Sequence, residues 1–560
     1  MNEVILIYLV TLLLAWPLGL YIARIYQTGS APLDRVFLPI EKGVYKLMGV
    51  NPNVDMHWKH YFKILIIFHA FLALVVFLIL RFQGHLFLNP DQIPNMSWDL
   101  ALHTALSFLG NADQQHYSGQ AQLSHLAQGT GLVTMQFVAP AAGIAILFAI
   151  LRVLFKTKEN VEQGLVGNFY QDMIRAIVRL LIPLAFILSV ILTSQGVPSS
   201  YQAAAQVETL ESSEEQAIPL GPVSPMVAIK QLGTNGGGWY GANSAVPLEN
   251  PTAISNFFEA MAIMLIPMAL VFALGYFSGR KKLATVVMGV MLSLSVVSSS
   301  LAIYSENQPN AATAEWSHQA NMEGKEVRIG ETATALWGAW ATQTGNGSVN
   351  GMHDSFNPIG GLVVMSNMLV GAIFGGIGFG LVLFLAYMML AAFLGSLLIG
   401  RTASFMNKPL EGHEMKLLAM VFMLQPFVLL VFSGLTLAMP ALSGISNPGY
   451  HGVTQVIYEY TSAFATNGSG FEGLGDDSVW WNLTTAVTIL LGRFVPMFLV
   501  LATVVSLVSK KATPSTRESL QIETPTFALV IILLIAFAFL SYLPFIVFGP
   551  IAEWVSLINH

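Results

Sequence analysis

The chain has 560 residues, of which 54% are hydrophobic and only 10% charged, and its formal net charge is −6. Soluble domains carry roughly 25% charged residues, so this composition excludes a soluble enzyme and indicates a protein whose main solvent is the bilayer. The absence of cysteine excludes thiolate metal sites and disulfides, and the small net charge gives no reason to expect a nucleic-acid partner.

Ten apolar segments are long enough to cross a bilayer, which takes roughly 20 residues of helix. We number them spans 1 to 10. They cover residues 4–26, 62–84, 126–155, 172–195, 254–279, 283–304, 358–400, 417–441, 480–509 and 525–549. The sequence therefore predicts an all-α polytopic membrane protein. Span 1 is expected to be retained, because the basic residues that open a signal peptide do not precede it.

The positive charges predict an orientation, since loops rich in lysine and arginine stay inside. When the loops after the odd-numbered spans are placed inside, 20 of the 25 lysines and arginines lie on that side. Both termini are then expected outside. The exceptions are Arg81, Lys230, Lys325, Arg328 and Arg493.

The outer loops before spans 3, 5, 7 and 9 each contain a short helix-like stretch followed by a small polar turn. We call them turns 1 to 4. They read Gly110-Asn111-Ala112-Asp113, Thr234-Asn235-Gly236-Gly237-Gly238, Gly345-Asn346-Gly347-Ser348 and Thr466-Asn467-Gly468-Ser469. The four asparagines are 124, 111 and 121 residues apart, which indicates a duplicated membrane module rather than a solenoid.

The repeat divides the chain into six predicted parts. Four pseudo-symmetric repeats of helix, pore loop and helix are flanked by one extra span at each end. The parts are 1–61 (span 1 and an inner loop), 62–158, 159–282, 283–408 and 409–511 (repeats 1 to 4), and 512–560 (span 10).

Four irregular turns at membrane depth favour an ion pathway. Lipid offers no hydrogen bonds, so such backbone persists only where protein covers it or where it lines a watery path. A dehydrated K⁺ ion needs a cage of oxygens, which backbone carbonyls from four loops supply. Glycine and asparagine tolerate the required φ values. One Asn-Gly pair is an ordinary turn, but four in equivalent places predict a potassium selectivity filter.

Asp113 makes the first repeat unlike the others. When the repeats are aligned on their asparagines, Asp113 occupies the position of Gly237, Ser348 and Ser469. A carboxylate there raises the local cation concentration by its field. The alternative is a solvated outer-loop residue.

Arg493 lies deep in span 9, and ionisable groups inside the membrane are usually functional. We interpret it as a positive barrier beneath the filter, or alternatively as half of an interior ion pair. Span 7 is about twice as long as a bilayer requires. It is expected to break at residues 371–378, where five of the eight residues are small, and to obstruct the path there, unless it is one long tilted helix.

Other residues carry weaker predictions. His69, His103 and Glu259 have no partner at metal-ligand spacing, and hydrogen-bonding roles are expected for them. The sequence contains no G-x-x-x-x-G-K-[ST] loop. We therefore expect no catalytic residues, no bound cofactor and no ATP hydrolysis by this chain alone.

Nine longer motifs are spread over almost the whole chain. They are Ser97-Trp98-Asp99-Leu100-Ala101-Leu102, Tyr117-Ser118-Gly119, Leu232-Gly233-Thr234-Asn235-Gly236-Gly237-Gly238, Glu249-Asn250-Pro251-Thr252, Asn321-Met322-Glu323-Gly324-Lys325-Glu326, Met352-His353-Asp354-Ser355-Phe356, Gly400-Arg401-Thr402, Gly492-Arg493-Phe494 and Ser506-Leu507-Val508-Ser509-Lys510-Lys511. Together these motifs resemble the KdpA family, and the resemblance implies the fold of the superfamily of potassium transporters. It also implies a bacterial inner-membrane location.

The resemblance further implies a role in K⁺ uptake. K⁺ is selected from outside at the filter and passes through an intramembrane tunnel to the P-type ATPase subunit KdpB, which carries ATP and Mg²⁺. KdpC and KdpF complete the assembly, in contact with membrane lipid. By the family's motifs, the filter falls on Asn111, Ala112, Thr234, Asn235, Gly236, Asn346, Gly347, Thr466, Asn467 and Gly468, with Asp113 in the same turn.

The same resemblance assigns residues beside and beneath the filter. Gln115 matches a position that influences ion affinity, Arg493 the family's intramembrane arginine, and Gly375, Gly376 and Gly378 its gating loop. This sequence departs from the family in two ways. Asp113 replaces an uncharged residue, and the acidic residue expected before Phe374 is missing.

Two rival functions remain open at this point. One is an autonomous potassium channel or ion-coupled potassium transporter of the same superfamily, which normally has eight core spans. The other is a metabolite symporter with broken helices, which usually contains two inverted repeats rather than four equal ones.

Overall fold

The computed structural model describes residues 2–27, 31–155, 164–210, 214–313, 315–511 and 521–558. Helices make up most of these ranges. Lys156, Lys158 and Arg517, which the charge rule places in inner loops, lie outside the described residues. The predicted boundary between repeats 1 and 2, at residue 158, also lies outside them.

Ten helices in the described part of the chain are long and apolar enough to cross a membrane, which confirms the number of spans predicted from the sequence. Their bounds are Asn2–Gln27, Trp58–His85, Ala127–Phe155, Phe169–Ser194, Ala253–Ser278, Lys281–Thr313, Phe379–Leu398, Gly412–Leu437, Val479–Ser509 and Pro525–Ile558. A shorter apolar helix, Pro358–Val370, precedes the seventh of these and forms the first half of span 7.

The remaining elements are short helices and two small hairpins. Four of the helices each precede a turn, and we call them pore helices 1 to 4: Trp98–Leu109, Val223–Leu232, Glu331–Gln343 and Tyr450–Phe464. Outside the spans lie the helices Asp34–Met48, Gly119–Gln122, Asn243–Ala245, His353–Ser355 and Pro440–Ser443. The antiparallel strand pairs are β1 (Ala205–Glu208) with β2 (Glu215–Ile218) and β3 (Ser404–Phe405) with β4 (Lys408–Pro409).

Burial separates the spans into an inner and an outer set. The apolar segments of spans 3 and 5 are 83% buried, that of span 7 is 67% buried and that of span 9 is 61% buried, whereas the other six are 28–44% buried. Each inner span follows a turn, and each outer span of a repeat precedes a pore helix. The four repeats therefore place their turns around the centre of the protein, with lipid-facing helices outside.

The two additional spans pack on this core. Span 1 lies along span 5, where the Cα of Gly19 approaches Ala269 and Phe272 so closely that an added Cβ would overlap both. Small residues allow such close approach of helices in membranes. Span 10 packs against spans 6 and 7 at another side.

Span 7 is broken at the glycine-rich segment that the sequence indicated. Its first helix ends at Gly371, which has a φ of 62°, and its second begins at Phe379. Between them, Phe374, Gly375 and Gly378 also have positive φ values. A continuous tilted helix is therefore excluded, and the intervening loop (residues 371–378) is available to contact the centre of the protein.

Candidate functional site: a ring of four turns

Turns 1, 2 and 3 contact one another in sequence order. The side-chain Nδ2 of Asn111 donates a hydrogen bond to the carbonyl oxygen of Thr234 at 2.8 Å, which joins turn 1 to turn 2. The backbone N–H of Gly347 donates to the carbonyl oxygen of Asn235 at 3.4 Å, which joins turn 2 to turn 3. A Cβ on Gly236 would overlap the backbone of Gly347, so glycine is needed for this approach.

Turn 4 closes the ring. The Nδ2 of Asn467 donates to the carbonyl oxygen of Asn346 at 3.0 Å, which joins turn 4 to turn 3. On its other side, Gly468 lies against the carbonyl group of Ala112 in turn 1, where an added Cβ would overlap the oxygen. Each turn thus contacts the next, and the four turns form a closed ring.

The pore helices define equivalent positions in the four turns. The second residue after each helix has a left-handed backbone: φ is 60° at Asn111, 48° at Thr234, 62° at Gly345 and 51° at Thr466. The N–H of the third residue bonds to the carbonyl five residues earlier in every repeat: Ala112 to Ser107, Asn235 to Lys230, Asn346 to Ala341 and Asn467 to Ser462.

This register corrects the alignment predicted from the asparagines. Asn111 comes one position earlier than the other three, because turn 1 has its asparagine two residues after the helix and the others three residues after it. Asp113 is therefore equivalent to Gly236, Gly347 and Gly468, and not to Gly237, Ser348 and Ser469. The Leu-Gly pair that ends pore helices 1 and 2 was the sequence signal for the correct register.

Two threonines in the ring adopt a backbone that their side chains disfavour. Thr234 and Thr466 have φ values of 48° and 51°, and β-branched residues are rarely found there. Such strain persists only where the surrounding structure enforces it, and it is concentrated at functional sites. Both strained positions lie in turns that form the ring.

Asp113 is buried rather than solvated. Its side chain is only 2% exposed, and its Oδ2 accepts a hydrogen bond from Nε2 of Gln136 in span 3 at 2.7 Å. The same Nε2 donates to the carbonyl oxygen of Gly237 at 2.9 Å. The alternative of a solvated outer-loop carboxylate is therefore wrong, since Asp113 is held between turn 2 and span 3.

Gln115 links turns 1 and 2 through both atoms of its amide. Its Oε1 accepts from the N–H of Gly238 at 2.8 Å, and its Nε2 donates to the Gly238 carbonyl oxygen at 3.1 Å. The residue thus sits directly beside the ring.

Lys230 anchors turn 2 through a fully buried network that the sequence did not reveal. Its Nζ donates to Oδ1 of Asn243 at 2.6 Å and to Oε2 of Glu249 at 2.5 Å. The Nδ2 of Asn243 in turn donates to the carbonyl oxygen of Gly236 at 2.6 Å. Lys230 and Glu249 therefore hold Asn243 in place, and Asn243 in turn orients the backbone carbonyl of Gly236.

We expect Lys230→Met to destabilise the protein by about 3–5 kcal/mol, because Glu249 is left as an unpaired buried charge. Thermal unfolding followed by size-exclusion chromatography measures the loss, with the exposed Lys42→Met as control. Adding Glu249→Gln to the first variant should recover part of the stability. Equal melting temperatures for Lys230→Met and Lys42→Met would contradict this role.

Arg493 lies beneath the ring, and no carboxylate among the described residues pairs with it. It is 1% exposed, and its Nη2 donates to the carbonyl oxygen of Ala139 in span 3 at 3.1 Å. Its Cζ lies 5.2 Å from the centre of the Phe379 ring. Within the described ranges its Nη1 has no hydrogen-bond partner, and no ion pair to Arg493 occurs. The alternative of an interior ion pair is therefore wrong.

The loop of span 7 lies between Arg493 and the turns. The N–H of Ile377 donates to Oγ1 of Thr234 at 2.9 Å, and the N–H of Gly375 donates to the carbonyl oxygen of Gln343 at 2.7 Å. A Cβ on Gly376 would lie 3.6 Å from Nη1 of Arg493. Gly378 packs on the backbone of Gly143 so closely that a Cβ would overlap it.

A cavity opens beside this loop. Its volume is about 50 Å³, and it reaches from turn 3 to span 8. Its lining includes Gly345, Gly376, Phe379, Gln425 and Gly492. The space beneath the ring thus continues sideways between repeats 3 and 4.

The other predicted residues have mostly structural partners. His69 bonds through Nδ1 to the carbonyl oxygen of Leu65 at 2.8 Å, and Glu259 accepts from Gln231 and Ser244 at 2.9 and 2.8 Å. A hydrogen-bonding role was also expected for His103. Its ring instead stacks on that of His116, with ring centres 3.9 Å apart.

The basic residues that the positive-inside orientation leaves in outer loops also have partners in the structure. Lys325 pairs with Glu306 at 2.9 Å, and neither side chain is exposed. Arg328 donates to the carbonyl oxygens of Ala245 and Asn250, and Arg81 donates to that of Met96. These side chains hold loops near the turns, so their placement has a structural reason.

Comparison with known proteins gives one consistent family. A sequence profile of the family KdpA, potassium-transporting ATPase A subunit, matches residues 5–555. A protein of Pseudomonas putida is 41% identical over 559 residues, covering 99% of this chain and 98% of its own length. One of Parabacteroides distasonis is 40% identical over 563 residues, covering 98% of both chains. Each is named a potassium-transporting ATPase potassium-binding subunit.

A solved structure shares the fold. The potassium transporter TrkH from Vibrio parahaemolyticus superimposes with a TM-score of 0.54 over 90% of this chain and 98% of its own, at 14% sequence identity. At this level of identity the likeness concerns the fold alone.

Proposed function

The chain belongs to the KdpA family of potassium-transporting ATPase A subunits, and from this premise we propose that it binds K⁺ at the ring of four turns and passes the ion to a P-type ATPase subunit. The observation that carries the proposal is the closed contact of the turns, which gathers backbone carbonyl groups from four repeats. Carbonyl oxygens replace the hydration shell of K⁺ in selectivity filters.

The pore helices support a cation at the ring. All four end at the turns, so their C-terminal partial negative charges point toward the same place. Asp113 adds the oxygens of a buried carboxyl group on one side. The filter residues are those predicted from the sequence, in the corrected register, with Gln115 fixing the relative position of turns 1 and 2.

We further propose that Arg493 and the loop of span 7 stop K⁺ from continuing straight through. A buried guanidinium without a counter-charge repels a cation above it, and the loop with Gly375, Gly376 and Gly378 occupies the path. The cavity beside the loop, open toward spans 8 and 9, is the proposed start of a tunnel to KdpB.

The proposed assembly follows from the family. KdpB hydrolyses ATP with Mg²⁺, KdpC and KdpF complete the complex, and this chain is its non-hydrolytic subunit. The complex lies in the bacterial inner membrane with the turns and both termini of this chain outside, so that K⁺ is taken up. The six-part division of the chain, with boundaries at 61, 158, 282, 408 and 511, describes how the repeats build the ring.

The direct test is the ATPase activity of the purified complex across K⁺ concentrations, with Rb⁺ and Na⁺ as competitors. We expect K⁺ to stimulate hydrolysis and Na⁺ not to. The same measurement is made on the complex with Gly236→Asp, which places a side chain against turn 3. This variant should require a higher K⁺ concentration for the same stimulation. Passive K⁺ flux through this chain alone, without a co-purifying ATPase, would instead identify an autonomous channel.

A further inference from the structure

Three metal-binding side chains converge beside the ring, on the side of the outer loops. The Nε2 of His116 lies 3.5 Å from Oε1 of Glu459 and 3.9 Å from Oδ2 of Asp476. One ligand atom from each residue lies within 4.8 Å of the others. The residues come from the loop after turn 1, from pore helix 4 and from the loop after turn 4.

A hydrogen-bonded relay fixes the state of the His116 ring. The carboxylate of Asp99 accepts from Nδ2 of Asn482 at 2.8 Å. Since a carboxylate only accepts, the amide oxygen of Asn482 faces His116, whose Nδ1 lies 2.7 Å away and must donate. Support of this kind at the second nitrogen is typical of histidines that bind metal ions.

The relay leaves the Nε2 of His116 facing a carboxylate. Neither this Nε2 nor Oε2 of Glu459 has a hydrogen-bond partner among the residues that the structure describes, although both side chains are more than nine-tenths buried. The geometry therefore leaves an imidazole nitrogen and a carboxylate oxygen able to bind the same cation.

We propose that His116, Glu459 and Asp476 form a binding site for a divalent transition-metal ion such as Zn²⁺. Bonds of 2.0–2.2 Å in a tetrahedral zinc site put neighbouring ligand atoms about 3.3–3.6 Å apart. The distances from Nε2 of His116 to the oxygens of Glu459 and Asp476, 3.5 and 3.9 Å, are close to this range. One histidine nitrogen and two carboxylate oxygens suit Zn²⁺ or Co²⁺. The side chain of Asp476 is 26% exposed, so the ion reaches the site from solvent, and water supplies the fourth ligand.

The site touches the ring through one residue. Glu459 also accepts a hydrogen bond from Gln114, the neighbour of Asp113 in turn 1. A metal ion on Glu459 competes with this bond. Metal binding thus acts on the turn that carries the carboxylate.

Binding can be tested directly on the purified complex. We expect Co²⁺ to give the visible absorption bands of a tetrahedral site, and one equivalent of Zn²⁺ to abolish them, whatever the transport activity. His116→Gln and Asp476→Asn should each lower Zn²⁺ affinity at least tenfold. The exposed neighbour gives a matched control, since Asp477→Asn should leave the affinity unchanged.

Two results would overturn the proposal. One is the absence of any Zn²⁺ or Co²⁺ binding to the wild-type complex. The other is equal affinity in the wild type and in both site variants, which places the metal elsewhere. Because absorbance is independent of K⁺ transport, failure here is distinguishable from failure of the proposed K⁺ function.

Discussion

Gly468→Ala is expected to raise the K⁺ concentration for half-maximal ATPase activity by about 100-fold or more, and to reduce discrimination against Na⁺. Gly468 has a φ of 98° and contacts the carbonyl group of Ala112 in turn 1. A methyl group there overlaps the oxygen and disfavours the backbone conformation, so the contact that closes the ring must open. The measurement is K⁺-stimulated ATPase activity of the purified complex, with Na⁺ and Rb⁺ titrated in parallel.

A second glycine in the same repeat provides the control. Gly434 lies in span 8, where an added Cβ meets no other atom within 4 Å. Gly434→Ala should therefore keep the wild-type K⁺ response and complex yield. If Gly468→Ala behaves in the same way, turn 4 takes no part in selecting the ion.

Arg493→Gln is expected to increase passive flux through the complex by about two orders of magnitude and to lower the K⁺ transported per ATP. A unit charge about 5 Å from an ion contributes roughly 3 kcal/mol of repulsion at an effective dielectric of 20. No carboxylate of the described residues offsets the charge of Arg493. Tracer Rb⁺ flux into proteoliposomes without ATP, together with the ratio of transport to hydrolysis, measures both effects.

Arg493→Lys separates charge from shape, because it retains the positive charge and loses the planar guanidinium. We expect it to leak much less than Arg493→Gln. Wild-type flux and coupling in Arg493→Gln would show that Arg493 acts only through its hydrogen bond to Ala139.

Local composition was enough to predict the spans and the turns. Apolar length determines which helices can cross a bilayer, and the glycines at 371–378 determine where span 7 breaks. These properties depend on residues close together in the chain, so the sequence displays them directly.

The register and the buried side chains required three-dimensional information. The asparagines misaligned turn 1, because Asn111 holds the position that threonine or glycine holds elsewhere. Asp113 is buried because Gln136, on a span further along the chain, bonds to it. His116 and Glu459 are more than 340 residues apart, and no local pattern brings them together.

The closed ring of four turns has a genetic consequence, because all four are encoded in one reading frame. In an assembly of four identical subunits, one codon change alters all four quarters at once. Here each codon alters a single quarter, so the four quarters are free to diverge independently. Asp113 is one outcome of that freedom. It is an acidic residue where the other three turns have glycine, so the ring is chemically asymmetric.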